Sequence, residues 1–198
     1  MANKKTVALD DQEYREIIIS IKDGFSYTEE GKRKKFRRNP QLAMILQLEA
    51  VLGLRISDIL KLHLSDIVKD GSRYRLDIIE KKTKKTRTFT VPADIYSFIC
   101  TYAMEREIGK TDALFSVGER AVQKQLAIVA RYYELDKVST HSFRKRFATQ
   151  TYENSGCNVE LVRQLLQHSS VITTQRYIGV GTKQIEEALA SVSGDLNV

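Results

Sequence analysis

Residues 140–179, THSFRKRFATQTYENSGCNVELVRQLLQHSSVITTQRYIG, constrain this chain more than any other stretch. His141 and Arg144 stand three residues apart, so one helical turn brings both polar heads to the same side. The stretch closes with His168 and, nine residues later, Tyr177. Between them lie two amphipathic segments, 143–152 and 159–166, divided by Asn154, Ser155 and Gly156, a helix-stop signal. Two histidines, an arginine and a tyrosine brought together this way make a cationic site with a phenol beside it. Such a site suits a phosphodiester. Cleaving one without a metal needs a nucleophile, positive charge around the non-bridging oxygens and a proton for the departing alkoxide.

Two further stretches bear on that chemistry: GLRISDILKL at 53–62 and EKKTKK at 80–85. With H-x-x-R at His141 and Arg144, and L-L-x-H-S-S-x-x-T-T-Q-x-Y ending at Tyr177, they resemble the catalytic boxes of the tyrosine recombinases. This is the integrase family of phages and mobile elements, and the boxes follow the family's order over roughly residues 9–192.

The resemblance implies a role for each residue. Tyr177 is the nucleophile that forms a covalent phosphotyrosine. Arg55 and Arg144 hold the non-bridging oxygens, because a guanidinium donates two parallel hydrogen bonds to phosphate and stays protonated. Asp58, one turn after Arg55, supports that arginine from behind. His141 accepts the tyrosine proton, and His168 donates to a phosphate oxygen. The third histidine, His63, is read as surface or packing. A hairpin lysine protonates the 5′-hydroxyl leaving group: Lys82, in its K-T pair, matches the family best, with Lys84 as the alternative nearer the turn centre. The remaining lysines, Lys85 among them, contact phosphates. The chain departs from the family at Lys145, where a histidine is common and the position is structural. It departs again at Gln167, where a glycine is common and the local turn is expected to differ.

The implied activity is site-specific DNA recombination, whether integration, excision or inversion. It proceeds through a 3′-phosphotyrosine, with no metal or other cofactor. The implied partners are duplex DNA and further protomers, four of them in the synapse, in the bacterial cytoplasm at the nucleoid. A type IB topoisomerase uses the same chemistry on one strand of one duplex and is the first rival. A DNA-binding module without catalysis is the second, and the complete residue set argues against it.

Composition agrees without deciding. A net charge of +7 and a pI near 9.3 favour a polyanionic partner. Lys32, Arg33, Lys34, Lys35, Arg37 and Arg38 place six cations in seven positions, and 81–87 holds five more in seven. Such runs neutralise phosphates, a solvated loop being the plain alternative. Two cysteines, Cys100 and Cys157, build neither a disulfide framework nor a C-x-x-C metal spacing. No apolar run approaches the ~20 residues of a membrane span.

The periodicities predict a mainly helical α+β fold with one three-stranded antiparallel sheet. A capping box at Asp10 and Glu13 opens a helix over 11–23. Residues 24–38 have no usable period and are expected to form a loop that contacts DNA. Asn39 and Pro40 start a buried helix over 42–52, Gly53 ends it, and Ser57 is expected to cap a short helix after it. A helix-turn-helix DNA reader over 42–64 is disfavoured by that short, apolar second helix. Strands follow over 67–69, 74–79 and 86–91, then helices over 93–107 and 119–133. The expected division is a polar lead over 1–8, a catalytic domain over 9–180 and a C-terminal segment over 181–198. The last carries a helix whose Ile185, Leu189 and Val192 stripe docks on a neighbouring protomer or packs at home. The catalytic domain is expected to start near residue 9, leaving no room in this sequence for the helical core-binding domain that most integrases carry first, as in a recombinase without that domain or equally in a fragment with the front half removed. In size the chain is similar to the small fimbrial-switch recombinases.

Overall fold

A computed structural model describes residues 6–79 and 86–179. The expectations for Lys82, Lys84 and Lys85 and for the C-terminal helix lie outside these residues.

The chain folds around α2 (Pro40–Leu52), which Asn39 caps by accepting from the Leu42 N–H at 2.9 Å. Its sequence, PQLAMILQLEAVL, is apolar almost all round, so it is buried on nearly every side. α1 (Asp11–Asp23), held by the capping box at Asp10, lays Ile17, Ile18 and Ile21 against one flank. α6 (Thr140–Asn154) lies along another and contributes the fully buried Phe143. Each large apolar side chain buried here contributes roughly 1.5–3 kcal/mol, so these helix seams dominate stability. α4 (Ala93–Glu105), α5 (Glu119–Tyr132) and a connector that buries Leu114 and Phe115 complete this core. Against it pack β3 (Ile67–Asp70), β4 (Arg73–Ile79) and β5 (Thr86–Val91), an antiparallel sheet in that order. The mainly helical α+β fold with its three-stranded sheet is as the periodicities predict.

Two local expectations need correction. Residues 24–38 are not a loop but a second sheet, a hairpin of β1 (Phe25–Glu29) and β2 (Lys32–Phe36). Its two-residue turn puts Glu30 (φ 52°) and Gly31 (φ 71°) both in the left-handed region, the backbone of a type I′ turn. Glutamate in place of the usual Asn or Asp hid the turn. Phe25 and Phe36 stack at 5.0 Å and Phe25 meets Tyr132 of α5 at 4.2 Å, which seats the hairpin. Nor does Ser57 cap a helix: it lies inside α3 (Ile56–Ile59), and Arg55 occupies the cap position without a side-chain cap bond.

α7 (Val159–Leu166) and α8 (Val171–Ile178) build a smaller cluster with α6. Its buried members are Ala148, Tyr152, Val162 and Leu166, with Phe147 and Tyr177 packed against them. The sequence reading assigned no helix to 171–178.

Candidate active site

The site forms where three helix ends meet. Gly53 terminates α2 with φ 59°, and a Cβ there would stand 2.3 Å from the Phe147 ring, so both conformation and space require glycine. Its carbonyl oxygen accepts from Arg144 Nη1 at 2.6 Å, and the Leu166 carbonyl at the end of α7 accepts from Nη2 at 2.9 Å. Arg144 is thereby buried, 2% exposed, with its charge fixed by two helix C-terminal carbonyls.

Tyr177, on α8, points into this junction. Its hydroxyl is buried beside the Arg144 guanidinium. Burial pushes the phenol up to about 12, while the charges of Arg144 and Arg55 pull it down and that of Glu49 pushes it up. The His168 ring meets the Tyr177 ring edge-on at 5.1 Å, and Lys145 Nζ lies 5.3 Å from the Tyr177 centroid. Lys145 also donates to the Thr6 carbonyl at 2.6 Å. The position read as structural therefore borders the phenol itself.

His168 is held from two sides. Its Nδ1 is 3.1 Å from Thr174 Oγ1, which donates its single proton to the Ser170 carbonyl at 3.3 Å. Nδ1 must then carry a hydrogen and donate it to Thr174. Nε2 is left as an acceptor on the neutral ring and as a donor only on the imidazolium. The backbone is gripped by Arg163, whose Nη1 donates to the His168 carbonyl at 2.9 Å and whose own carbonyl accepts from the His168 N–H at 3.0 Å. Glu160 fixes Arg163 bidentately at 2.7 and 2.6 Å; hydrogen bonding to Arg163 holds this carboxyl down at about 2. Between α7 and His168, Gln167 takes the left-handed conformation at φ 52°, where the family commonly has glycine.

The structure thus gathers Arg144, His168 and Tyr177, with Arg55 close enough for its charge to reach the phenol. Asp58 is buried in α3, one turn after Arg55, and its N–H donates to the Arg55 carbonyl at 2.8 Å. His141 is exposed in the first turn of α6, ahead of Arg144. His63 lies apart, its backbone N–H and Nδ1 2.8 and 3.4 Å from the Asp66 carboxylate. Of the basic hairpin, Lys34 is engaged by Glu29 at 2.6 Å, and Arg131 pairs with the same carboxylate. Ser26, Thr28, Arg33 and Lys35 form its exposed face.

Sequence reasoning missed Arg163, Glu160, Thr174 and Glu49. The E-L-V-R spacing at Glu160 and Arg163 was the available signal for the first two, and a lone acid inside L-A-M-I-L-Q-L-E-A-V-L was the signal for Glu49.

This arrangement of helices and cations belongs to a known family. Residues 9–184 match the phage integrase family, and the chain is a member of it, with the fold of a tyrosine recombinase catalytic domain. It is 29% identical over 176 residues to tyrosine recombinase XerA of Pyrococcus furiosus, covering 83% of this chain and 60% of that protein. It is 31% identical over 135 residues to the probable integrase/recombinase YoeC of Bacillus subtilis, covering 65% and 71%. Among solved structures, the catalytic domain of bacteriophage HP1 integrase superposes with a TM-score of 0.64 at 19% identity, covering 94% of this chain and 95% of that one. A post-cleavage complex of XerH site-specific recombinase with a palindromic difH substrate gives 0.70 at 22% identity, covering 96% and 54%. The chain spans about 60% of the length of the XerA relative from Pyrococcus and of a XerC relative from Thermodesulfovibrio yellowstonii. Among the described residues no helix is long and apolar enough to cross a membrane.

Proposed function

We propose that this chain is the catalytic part of a site-specific DNA recombinase that cleaves and rejoins strands through a 3′-phosphotyrosine at Tyr177. The observation that carries this reading is the Tyr177 phenol lodged beside the Arg144 guanidinium, with the Arg55 charge and the His168 ring at the same point. A phosphodiester brought here meets two permanently charged guanidinium groups, and preorganised donors of this kind are each worth about 10²–10³-fold in rate. The phenol must lose its proton to attack, and His141 is the acceptor in this reading. His168, as imidazolium, donates from Nε2 to a non-bridging oxygen. Asp58 supports Arg55 from α3.

Lys82 is the proposed general acid for the departing 5′-hydroxyl, with Lys84 as the alternative and Lys85 on a phosphate. Support comes from the edge of the described structure. The carbonyl of Thr86, the residue after 80–85, lies 3.5 Å from the Gln167 amide nitrogen, next to His168. The partners are duplex DNA and further copies of the chain, four in a synapse, at the bacterial nucleoid. The charge that a metal would supply comes from side chains, so the reaction runs without a cofactor.

The test is incubation with nicked duplexes that trap the intermediate, read as a protein–DNA adduct that survives denaturant. Tyr177→Phe should lose the adduct while binding DNA within about twofold, since one hydroxyl adds little to an electrostatic interface. An adduct formed by the phenylalanine variant puts the nucleophile elsewhere.

A further inference from the structure

Glu49 has no part in the chemistry above, yet it stands beneath it. It is a single acid in the most apolar helix of the fold, 0% exposed, and neither carboxyl oxygen has a hydrogen-bond partner among the described residues. It precedes by one helical turn Gly53, whose carbonyl anchors Arg144, and so lies on the same side of α2. An unpartnered buried carboxyl is costly as an anion and far less so as a neutral acid. Burial accordingly pushes Glu49 well above the ordinary carboxylate range, opposed by the Arg144 charge and reinforced by that of Glu119.

Resting on the recombinase reading, we propose that Glu49 is a positioning residue of the cleavage reaction. In this role its neutral carboxyl leaves the Arg144 charge to the phosphate, and its ionised form withdraws that charge. The groups around it are specific. α6 presents Arg144, and Lys145 beyond it against the Tyr177 ring; α8 presents Tyr177, with His168 beside it. The start of α5 presents Glu119, and the Arg55 charge reaches the same Tyr177 phenol that Glu49 acts on. Ionisation of Glu49 places a negative charge among these groups with two effects of one sign. It neutralises Arg144 in a low-dielectric setting, and it pushes the Tyr177 phenol further up, because an anion opposes a second anion. Both slow the attack. The neutral acid is the competent form, and raising pH through its ionisation closes the site.

Single-turnover cleavage against pH, comparing wild type with Glu49→Gln, tests the role. Glutamine keeps the shape and cannot ionise. The expected result is similar rates and DNA affinity on the acid side, with the ratio of variant to wild-type rate rising about tenfold per pH unit above one inflection. A ratio that is constant across pH overturns the proposal, because a residue that merely fills space scales both profiles together. A folded Glu49→Gln that is slow at every pH overturns it too, since the anion would then be required. Should that variant not fold, ¹³C NMR of the side-chain carboxyls in wild-type protein without DNA decides. One glutamate still protonated at neutral pH, and lost in Glu49→Leu, supports the proposal; all glutamates ionised overturn it. If wild type forms no adduct with any DNA, the functional reading fails and this role fails with it, while the NMR result still reports the carboxyl's own state.

Discussion

The Arg144 guanidinium donates to the Gly53 carbonyl oxygen across 2.6 Å, joining the first turns of α6 to the last turn of α2. The glycine is as necessary to this bond as the arginine. Gly53→Ala places a methyl group against the Phe147 ring and adopts a left-handed backbone that alanine resists. The expected cost is about 2–5 kcal/mol, the sum of overpacking and backbone strain. Denaturant melts measure it, and a loss below 1 kcal/mol would show that Phe147 swings aside freely.

Arg163 should matter to the chemistry although it lies behind His168. Replacing it with alanine removes the side-chain bond to the His168 carbonyl, keeps the backbone one, and leaves Glu160 without its bidentate partner. A displaced imidazole of this kind costs on the order of 10²-fold in cleavage rate. DNA affinity should hardly change. A rate within threefold of wild type would show that Thr174 alone suffices to place the ring.

Tyr177→Phe removes a buried hydroxyl that lies beside the Arg144 guanidinium, so it should change the stability of the fold at neutral pH by no more than about 1 kcal/mol. The pH dependence has a definite sign. The folded phenol, raised to about 12 from 10.0, holds its proton where the unfolded one has lost it. Stability from this group is complete below pH 10 and is lost as pH rises towards 12, by on the order of 2 kcal/mol. Melts of wild type over that window should fall more steeply than those of the phenylalanine variant. Parallel curves would place the hydroxyl in solvent.

The basic hairpin should contribute unevenly to DNA binding. Arg33 and Lys35 face outward, whereas Lys34 is held by Glu29. Alanine at both Arg33 and Lys35 should reduce the salt slope of binding by roughly 0.9 per lost contact, and alanine at Lys34 should leave it nearly unchanged. Equal effects at all three positions would mean the ion pair opens on DNA.

What was legible in the sequence was whatever local chemistry decides. Asp10, Asn39-Pro40 and Gly53 mark helix ends through hydrogen bonds made within a few residues, and α1, α2 and the three-stranded sheet follow from them. The motif around Tyr177 gave candidates that the fold brings to one place. What stayed hidden depends on distant packing. The β1–β2 turn relies on Glu30 in a conformation that glutamate rarely adopts, stabilised by the Phe25, Phe36 and Tyr132 rings that meet only after folding. Gln167 is left-handed for a similar reason, with its amide reaching β5. The burial of Glu49 cannot be read from α2 alone, since it depends on the helices laid over it.

Lys145 spans 139 positions of chain to hold the carbonyl of Thr6, and the same ammonium rests over the Tyr177 ring. One end of the described polypeptide is thus moored within a single side chain's length of the phenol. Replacing that one ammonium would therefore remove two things at once, the mooring of Thr6 and the cation over the ring of Tyr177.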